Sequence, residues 1–283
     1  MLFKKIISIL LIIIFSATSK ADVKVNISEI ISDKVLELIP GDGHTEFSID
    51  LRENYKPDFS ILGVRQIKER NNGNLFTQFS FSKTEQNNKE RYVGNLGIGK
   101  RWLSDDKEIM NGLNSFIDYD HEGNMRASVG GELRGSVLEF TSNYYVSLGD
   151  ANGEKVLDGY NLQLSSQVPH LHWAEIFYDM YQWDGEDRAD IKGSKIGTEL
   201  ALSPNISLEA AFDDKDRNGL EDEWYAKIIF VHPPKDGPTA MDGISSSIWK
   251  EKKDMSDELL TKVKRQNKIM IEFKGTATIS RSD

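Results

Sequence analysis

Polar and apolar side chains alternate with period two through most of this chain, most clearly between Gly94 and Gly149. In the run Asn111 to Asp120, Leu113, Ser115, Ile117 and Tyr119 share one face, opposite Gly112, Asn114, Phe116, Asp118 and Asp120. From Met125 to Leu133 the apolar face is Ala127, Val129 and Leu133, opposite Arg126, Ser128 and Glu132. From Leu138 to Val146 it is Leu138, Phe140, Tyr144 and Val146, opposite Glu139, Thr141, Asn143 and Tyr145. Successive side chains of a strand point to opposite sides of a sheet, so this period predicts strands. Twelve such runs succeed one another: 45–53, 59–67, 74–83, 91–103, 109–120, 125–134, 137–148, 158–168, 173–181, 193–202, 206–213 and 223–231. Short connections between them make the pattern an antiparallel meander.

Connection lengths add a second signal. Gly135-Ser136, Pro169 to His172 and Ser203-Pro204-Asn205 are tight, whereas 149–157, 182–192 and 214–222 are long and charged. Outer-membrane barrels sort their loops this way, with short inner turns and longer outer loops. The strand lengths approach the ~9–11 residues that a tilted transmembrane strand needs. Tyr92, Trp102, Tyr119, Tyr160 and Trp224 sit near run ends on the apolar face, where interfacial girdles are expected. A soluble barrel of twelve strands would instead enclose an apolar hole too large for these side chains to fill. The expectation is an all-β, twelve-stranded antiparallel transmembrane barrel over residues 44–232, apolar face to lipid and Arg101, Asp118, Asp120, Arg126, Glu132 and Glu139 to the lumen.

Helical spacing appears only at the ends. Ile30, Ile31, Val35, Leu36, Leu38 and Ile39 predict a short helix within a periplasmic segment, 22–43. Residues 233–247 are rich in Pro, Gly and Ser and read as a linker. Met255 to Gln266 predicts a second helix, with Ser256 as N-cap and Leu259, Leu260 and Val263 on one side. Asn267 to Lys274 alternates again, with Ile269, Ile271 and Phe273 together. Its eight extended residues reach ~27 Å, about one bilayer thickness.

Composition narrows the setting. Lys4 and Lys5, the apolar stretch Ile6 to Phe15 and Ser19-Lys20-Ala21 form an export signal, 1–21, too short to span a bilayer. Its removal takes the formal charge from −10 to −13, which argues against nucleic acid as a partner. Cysteine is absent, so no disulfide or thiolate chemistry is available.

The segments GNLGIGKRWL (94–103), FIDYDHEGNMRASVGGEL (116–133), LEFTSNYYVSLG (138–149) and DGYNLQL (158–164) resemble the translocator domain of the inverse autotransporters, the intimin and invasin family. HTEFSIDL (44–51) resembles that family's first strand, and LLTKVKRQNKIMIEFK (259–274) the segment after its barrel. The resemblance implies a twelve-stranded outer-membrane barrel with a periplasmic N-terminus. It also implies that the post-barrel segment turns back through the pore, here residues ~255–275 with Ile269, Ile271 and Phe273 as the plug strand, and leads an adhesive extracellular passenger. This sequence ends at Asp283 without one, so residues 233–283 are expected to be linker and plug. Expected partners are outer-membrane lipid, the barrel-insertion machinery, and a passenger or separate adhesin.

Few residues suggest chemistry. Asp214, Asp216, Asn218 and Asp222 have the D-x-D-x-N-G spacing of a calcium loop, but Tyr225 stands where a bidentate acid belongs. The competing reading is a charged, solvated hairpin without cofactor. Asn114, Asp118, Asp120, Arg126, Glu139 and Asn143 are expected to line the lumen, with Asp118, Asp120 and Arg126 as an ion-pair set near the outer mouth. Beside the translocator stands an alternative, an outer-membrane protease or lipase with His121 near its active site. A third reading is a soluble periplasmic β-protein. His170 and His172 make no metal site alone. No nucleophile elbow, phosphate loop or zinc-binding helix is present.

Overall fold

The computed structural model describes residues 41–273, except 54, 87–88, 217–220 and 252–253. Twelve strands close into one antiparallel barrel: β1 (Gly43–Arg52), β2 (Asp58–Arg70), β3 (Gly73–Gln86), β4 (Lys89–Leu103), β5 (Ile109–Asp120), β6 (Met125–Gly135) and β7 (Leu138–Gly149), then, after the short β8 (Glu154–Val156), β9 (Gly159–Val168), β10 (Leu171–Trp183), β11 (Ile191–Ser203), β12 (Ile206–Lys215) and β13 (Glu223–His232). Each barrel strand pairs with the next, and β13 returns to β1 in register from Thr45 opposite His232 to Arg52 opposite Tyr225. Closure leaves no sheet edge, so every barrel strand has a partner on both sides. The short β14 (Ile271–Phe273) pairs with β8, outside the barrel sheet.

Side chains are sorted opposite to a soluble protein. Leu96, Leu113, Ile117, Val129, Phe140 and Ile196 face outward and are exposed, Leu96 and Ile196 at 62 %. Arg91, Arg101, Arg126, Asp118 and Asp120 face inward and are at most 1 % exposed. Charged residues are rarely so buried in water-soluble folds unless paired, and contiguous apolar surface is rarely so bare. This explains the strict alternation of β4 to β7: hydrocarbon selects every second residue for its surface, and the intervening one meets the lumen. Tyr92, Tyr119, Tyr160 and Trp224 lie on the outward face near one rim, and Trp102 near the other.

The lumen is filled by the chain's own continuation. After β13 the chain runs along one rim and makes 3-10 turns at Ala240–Asp242 and Met255–Glu258. It then enters the barrel from that end and rises to the other, where β14 meets β8 in the β7–β9 connection. The helix expected over 255–266 does not form. The N-cap is Asp254 rather than Ser256, and only one 3-10 turn comes after it. Beyond Thr261 the backbone groups bond to barrel side chains, so the carbonyls that a helix would use internally are already taken. Leu259, Leu260 and Val263, the basis of the helical pattern, pack separately. Leu259 joins Leu103, Met110 and Met255, whereas Leu260 and Val263 join Leu62, Val64, Phe76 and Phe116. The crossing is made chiefly by 259–269, and Ile271 and Phe273 lie at the far mouth. The helix expected within 22–43 and the export signal lie outside the described residues.

Candidate functional site

The grip on the threaded segment begins with residue parity. On β3, β4, β6 and β7 the inward positions carry Asn, Gln and Arg, all side chains with N–H donors. Asn74 Nδ2 and Arg101 Nη1 donate to Leu259 O at 3.0 Å each, and Arg101 Nη1 also to Thr261 O at 2.6 Å. Higher up, Arg134 donates to Lys262 O (2.7 Å), Asn143 to Lys264 O (3.1 Å) and Arg126 to Gln266 O (2.7 Å). Asn95 donates to Asn267 O (3.0 Å) and Gln86 to Ile269 O (3.1 Å). In the other direction, Val263 N donates to Gln78 Oε1 (2.7 Å) and Gln266 N to the Tyr145 hydroxyl (2.8 Å). These contacts read backbone, not side chains.

Charge provides the second grip. Asp118 is shared by two guanidinium groups: Arg126 from the wall and Arg265 from the segment each reach Oδ2 at 2.7 Å. Arg101 and Arg134 converge on Glu132 at 2.9 and 2.6 Å, and Lys264 binds Glu139 at 2.7 Å. Arg134 Nε lies 2.9 Å from Glu139 Oε1, an ion pair rather than an aligned hydrogen bond. Lys262 pairs with Glu46 (3.0 Å) and Lys268 with Asp58 (2.6 Å), which tie the segment back to β1 and β2. Aromatic rings complete the layers: Arg101 lies over Phe76, Arg265 over Phe116 and Arg126 over Tyr145, each within 4.4 Å of the ring centre. The Phe76 and Phe116 rings lie flat against β4 because Gly99 and Gly97 carry no Cβ there; an added Cβ would meet each ring at 2.3 Å.

At the far mouth a second cluster seals the end. Arg91 bridges Asp120 and Glu154, and Asn124 Nδ2 donates to both carboxylates. Glu272 of β14 accepts from the backbone N–H of Glu186 and Asp187 at 3.2 and 3.1 Å. Lys155 of β8 reaches Glu186 across the same mouth, and that hydrogen bond holds its ammonium pKa above the ordinary value.

Most of the expected lumen residues meet here. Asp118 pairs with Arg126, but Asp120 belongs to the mouth cluster with Arg91, so the expected trio is divided between two sites. Neither site is well solvated. Asn143 and Glu139 contact the segment directly; Asn114 is buried beside Gly130 without bonding to the segment. Ile269 is fully buried with Val93 and Val156, Ile271 packs against them, and Phe273 lies opposite Glu154.

The chemical candidates lie elsewhere. His121 faces away from the buried aspartates: its Nδ1 accepts from Tyr92 N at 3.2 Å, its ring stands edge-on to Tyr92, and the dyad expected for an enzyme is not assembled. In the calcium-like loop Asp222 accepts from Lys215 N at 3.0 Å, Asp214 and Asp216 are exposed, and Asn218 lies outside the described residues. Among the described residues no three acidic or histidine side chains converge as a metal site. His170 and His172 instead hold the carbonyls of Ser245 and Ser247 at 3.0 and 3.1 Å.

Sequence reading missed several contributors. Arg91, Asn95 and Arg134 were within reach, since each occupies an inward position of its run. Gln86 lies past the expected end of its strand, and Glu154 lies in a connection, where period two gives no signal.

A solved membrane-protein structure from work on in-meso crystallisation is similar over 82 % of this chain and 99 % of its own, with TM-score 0.64 and 17 % identity. It supports the fold. Looser likenesses include the KdgM porin in complex with oligogalacturonate (TM-score 0.43, 10 % identity, 66 % of this chain, 98 % of that one). Another is Omp33 of Acinetobacter baumannii (TM-score 0.40, 7 % identity, 66 % and 96 %). No curated protein is detectably similar in sequence. The model of the inverse autotransporter β-domain matches residues 17–267, which span every barrel strand and most of the segment threaded through them. The chain therefore belongs to the inverse autotransporter β-domain family, as an outer-membrane β-barrel of the translocator type.

Proposed function

We propose that this barrel carries its own C-terminal segment through the lumen to the cell exterior and then keeps it there as a stopper. Residues 1–21 act as the export signal, cleaved on the way. The chain beyond Phe273 is delivered outside, where an adhesive passenger, continuous with this end or supplied by a separate chain, is displayed. The observation that carries the reading is the ladder of side-chain donors from Asn74 to Gln86, each bonded to a carbonyl between Leu259 and Ile269. Every polypeptide offers such carbonyls, so a track of this kind suits transport of an extended chain whose side chains vary. Each bond contributes modestly, ~0.5–1.5 kcal/mol net, and more where Arg donates. A chain can thus be gripped at many points without being trapped at one.

The test has two arms. Removal of residues 255–283 is expected to raise single-channel conductance in planar bilayers; unchanged conductance refutes the stopper. An epitope placed after Asp283 should bind antibody on intact cells. Binding only after permeabilisation refutes outward delivery.

A further inference from the structure

Between β13 and the lumen the chain takes a detour along the outside of the entry rim. Lys235 N donates to Pro204 O at 2.8 Å in the β11–β12 turn. The turn at Ala240–Asp242 packs on β11 and β10, and Trp173 Nε1 donates to Gly243 O at 2.8 Å. Ser245 N and Ile248 O then bond to the backbone of His170, both at 2.8 Å. Lys250 N reaches Gln167, and Met255 N reaches Lys107 O in the β4–β5 turn. In barrel order this path passes from β12 to β5, a belt around much of one rim.

At β10 and β11 the burial pattern puts the belt on the lipid side of that rim. Ala174 and Leu200 are register partners and share the outward face with Ile176 and Ile196. Ile176 and Ile196 are bare, whereas Ala174 is 2 % exposed and Leu200 half-buried at the end of β10 and β11 where the 240–242 turn packs. Two residues along a strand are ~7 Å, so the belt sits about one side-chain layer beyond the hydrocarbon-facing band. Its own apolar side chains turn away from the barrel. Met241 is 89 % and Ile244 80 % exposed, and Ile248 and Trp249 are exposed as well. Four such residues within nine positions make an uncovered apolar patch continuous with the barrel's lipid-facing surface.

We propose that residues 237–249 are an interfacial membrane anchor, with Met241, Ile244, Ile248 and Trp249 seated in the phospholipid leaflet at the entry rim. Continuity with the barrel's apolar band selects lipid as the occupant. Trp249 is of the type that prefers the membrane–water boundary. Lys235 and Lys250 are balanced by Asp236 and Asp242, so seating depends on apolar burial and not on anionic headgroups. The anchor fixes the point from which the threaded segment enters the pore.

The absence of cysteine makes a direct test practical. Ile244→Cys and Met241→Cys, each labelled with an environment-sensitive fluorophore, are compared in the full chain in nanodiscs of zwitterionic phospholipid. Asp105→Cys, in the exposed β4–β5 turn, is the aqueous control. Folding of each variant is checked by heat-modifiable gel mobility. The anchor predicts quenching by shallow doxyl-lipids and loss of iodide quenching at 241 and 244, with the reverse at 105, unchanged by added anionic lipid. Iodide quenching at 241 and 244 without doxyl quenching overturns it. Protection from both quenchers also overturns it, since a second copy or another protein would then cover the patch.

Discussion

Along β3 to β7 most inward side chains are buried and many bond to the threaded segment; along β10 to β13 fewer do, Glu175 meeting Lys264 at 3.7 Å. The first wall holds Arg101, Arg126 and Asp118 at 0 % exposure, each bonded to residues of 259–266 or to one another. On the second wall Lys195, Glu199, Glu209, Tyr225 and Lys227 are half-buried around a cavity of about 190 Å³ beside the segment. The segment is thus off-axis, docked on one side of its pore. A buried charge costs several kcal/mol when unpaired, so the first wall is committed to one partner arrangement. The second wall borders the cavity, and substitutions there are expected to cost less.

Beyond removal of the whole segment, the largest expected effect is at Asp118. Asp118→Ala leaves Arg126 and Arg265 buried and facing each other without their shared carboxylate, a loss of about 3–5 kcal/mol. The folded barrel should then expose the bonds after Lys262, Lys264 and Arg265 to trypsin, while the unaltered chain resists. Equal resistance of the two would refute the commitment of the first wall.

Next comes a matched pair across the lumen. Arg101→Met removes the bonds to Leu259 O and Thr261 O and strands Glu132 beside Arg134 alone, at a cost of about 3–5 kcal/mol. Lys227→Met, whose contacts with Asp50 and Glu209 are 3.7 and 3.8 Å and border the cavity, should cost ~0–1 kcal/mol. Urea unfolding in detergent micelles measures both; equal losses would abolish the contrast between the walls.

Gly97→Ala tests the packing beneath the segment. The new Cβ meets the Phe116 ring, which cannot retreat without displacing Arg265 stacked over it. About 1–3 kcal/mol of strain is expected, again by urea unfolding.

The ease of reading the barrel and the difficulty of reading its contents have one cause. Lipid imposes an environment that is the same for every outward residue, so Leu113, Ile117 and Val129 announce their strands without knowledge of their neighbours. The threaded segment has no such uniform surroundings. Leu259, Leu260 and Val263 fit a helix locally, but Leu259 O accepts from Asn74 and Arg101 and Val263 N donates to Gln78, all far away in the sequence. Tertiary hydrogen bonds overrode local propensity. One cue was available: Lys262 and Lys264 repeat the period of two, and the barrel's inward face held acids enough to receive them. Asp120 was misplaced for a related reason: its partner Arg91 also binds Glu154, which lies in the β7–β9 connection, where the period of two carries no signal.

The smallest effect is expected at the outer loop with calcium-like spacing, which belongs to neither wall. Asp222 already accepts from Lys215 N, and Lys215 Nζ lies 3.2 Å from Glu223, so the hairpin closes on itself. A hard cation would need these carboxylates turned inward together, and Tyr225 instead donates to Glu209 in the lumen at 2.8 Å. Calorimetric titration of calcium into the barrel in detergent should therefore show the same heat for the unaltered chain, Asp214→Ala and Asp216→Ala. A saturable heat lost in both variants would make this loop an ion site, and the solvated-hairpin reading would fall.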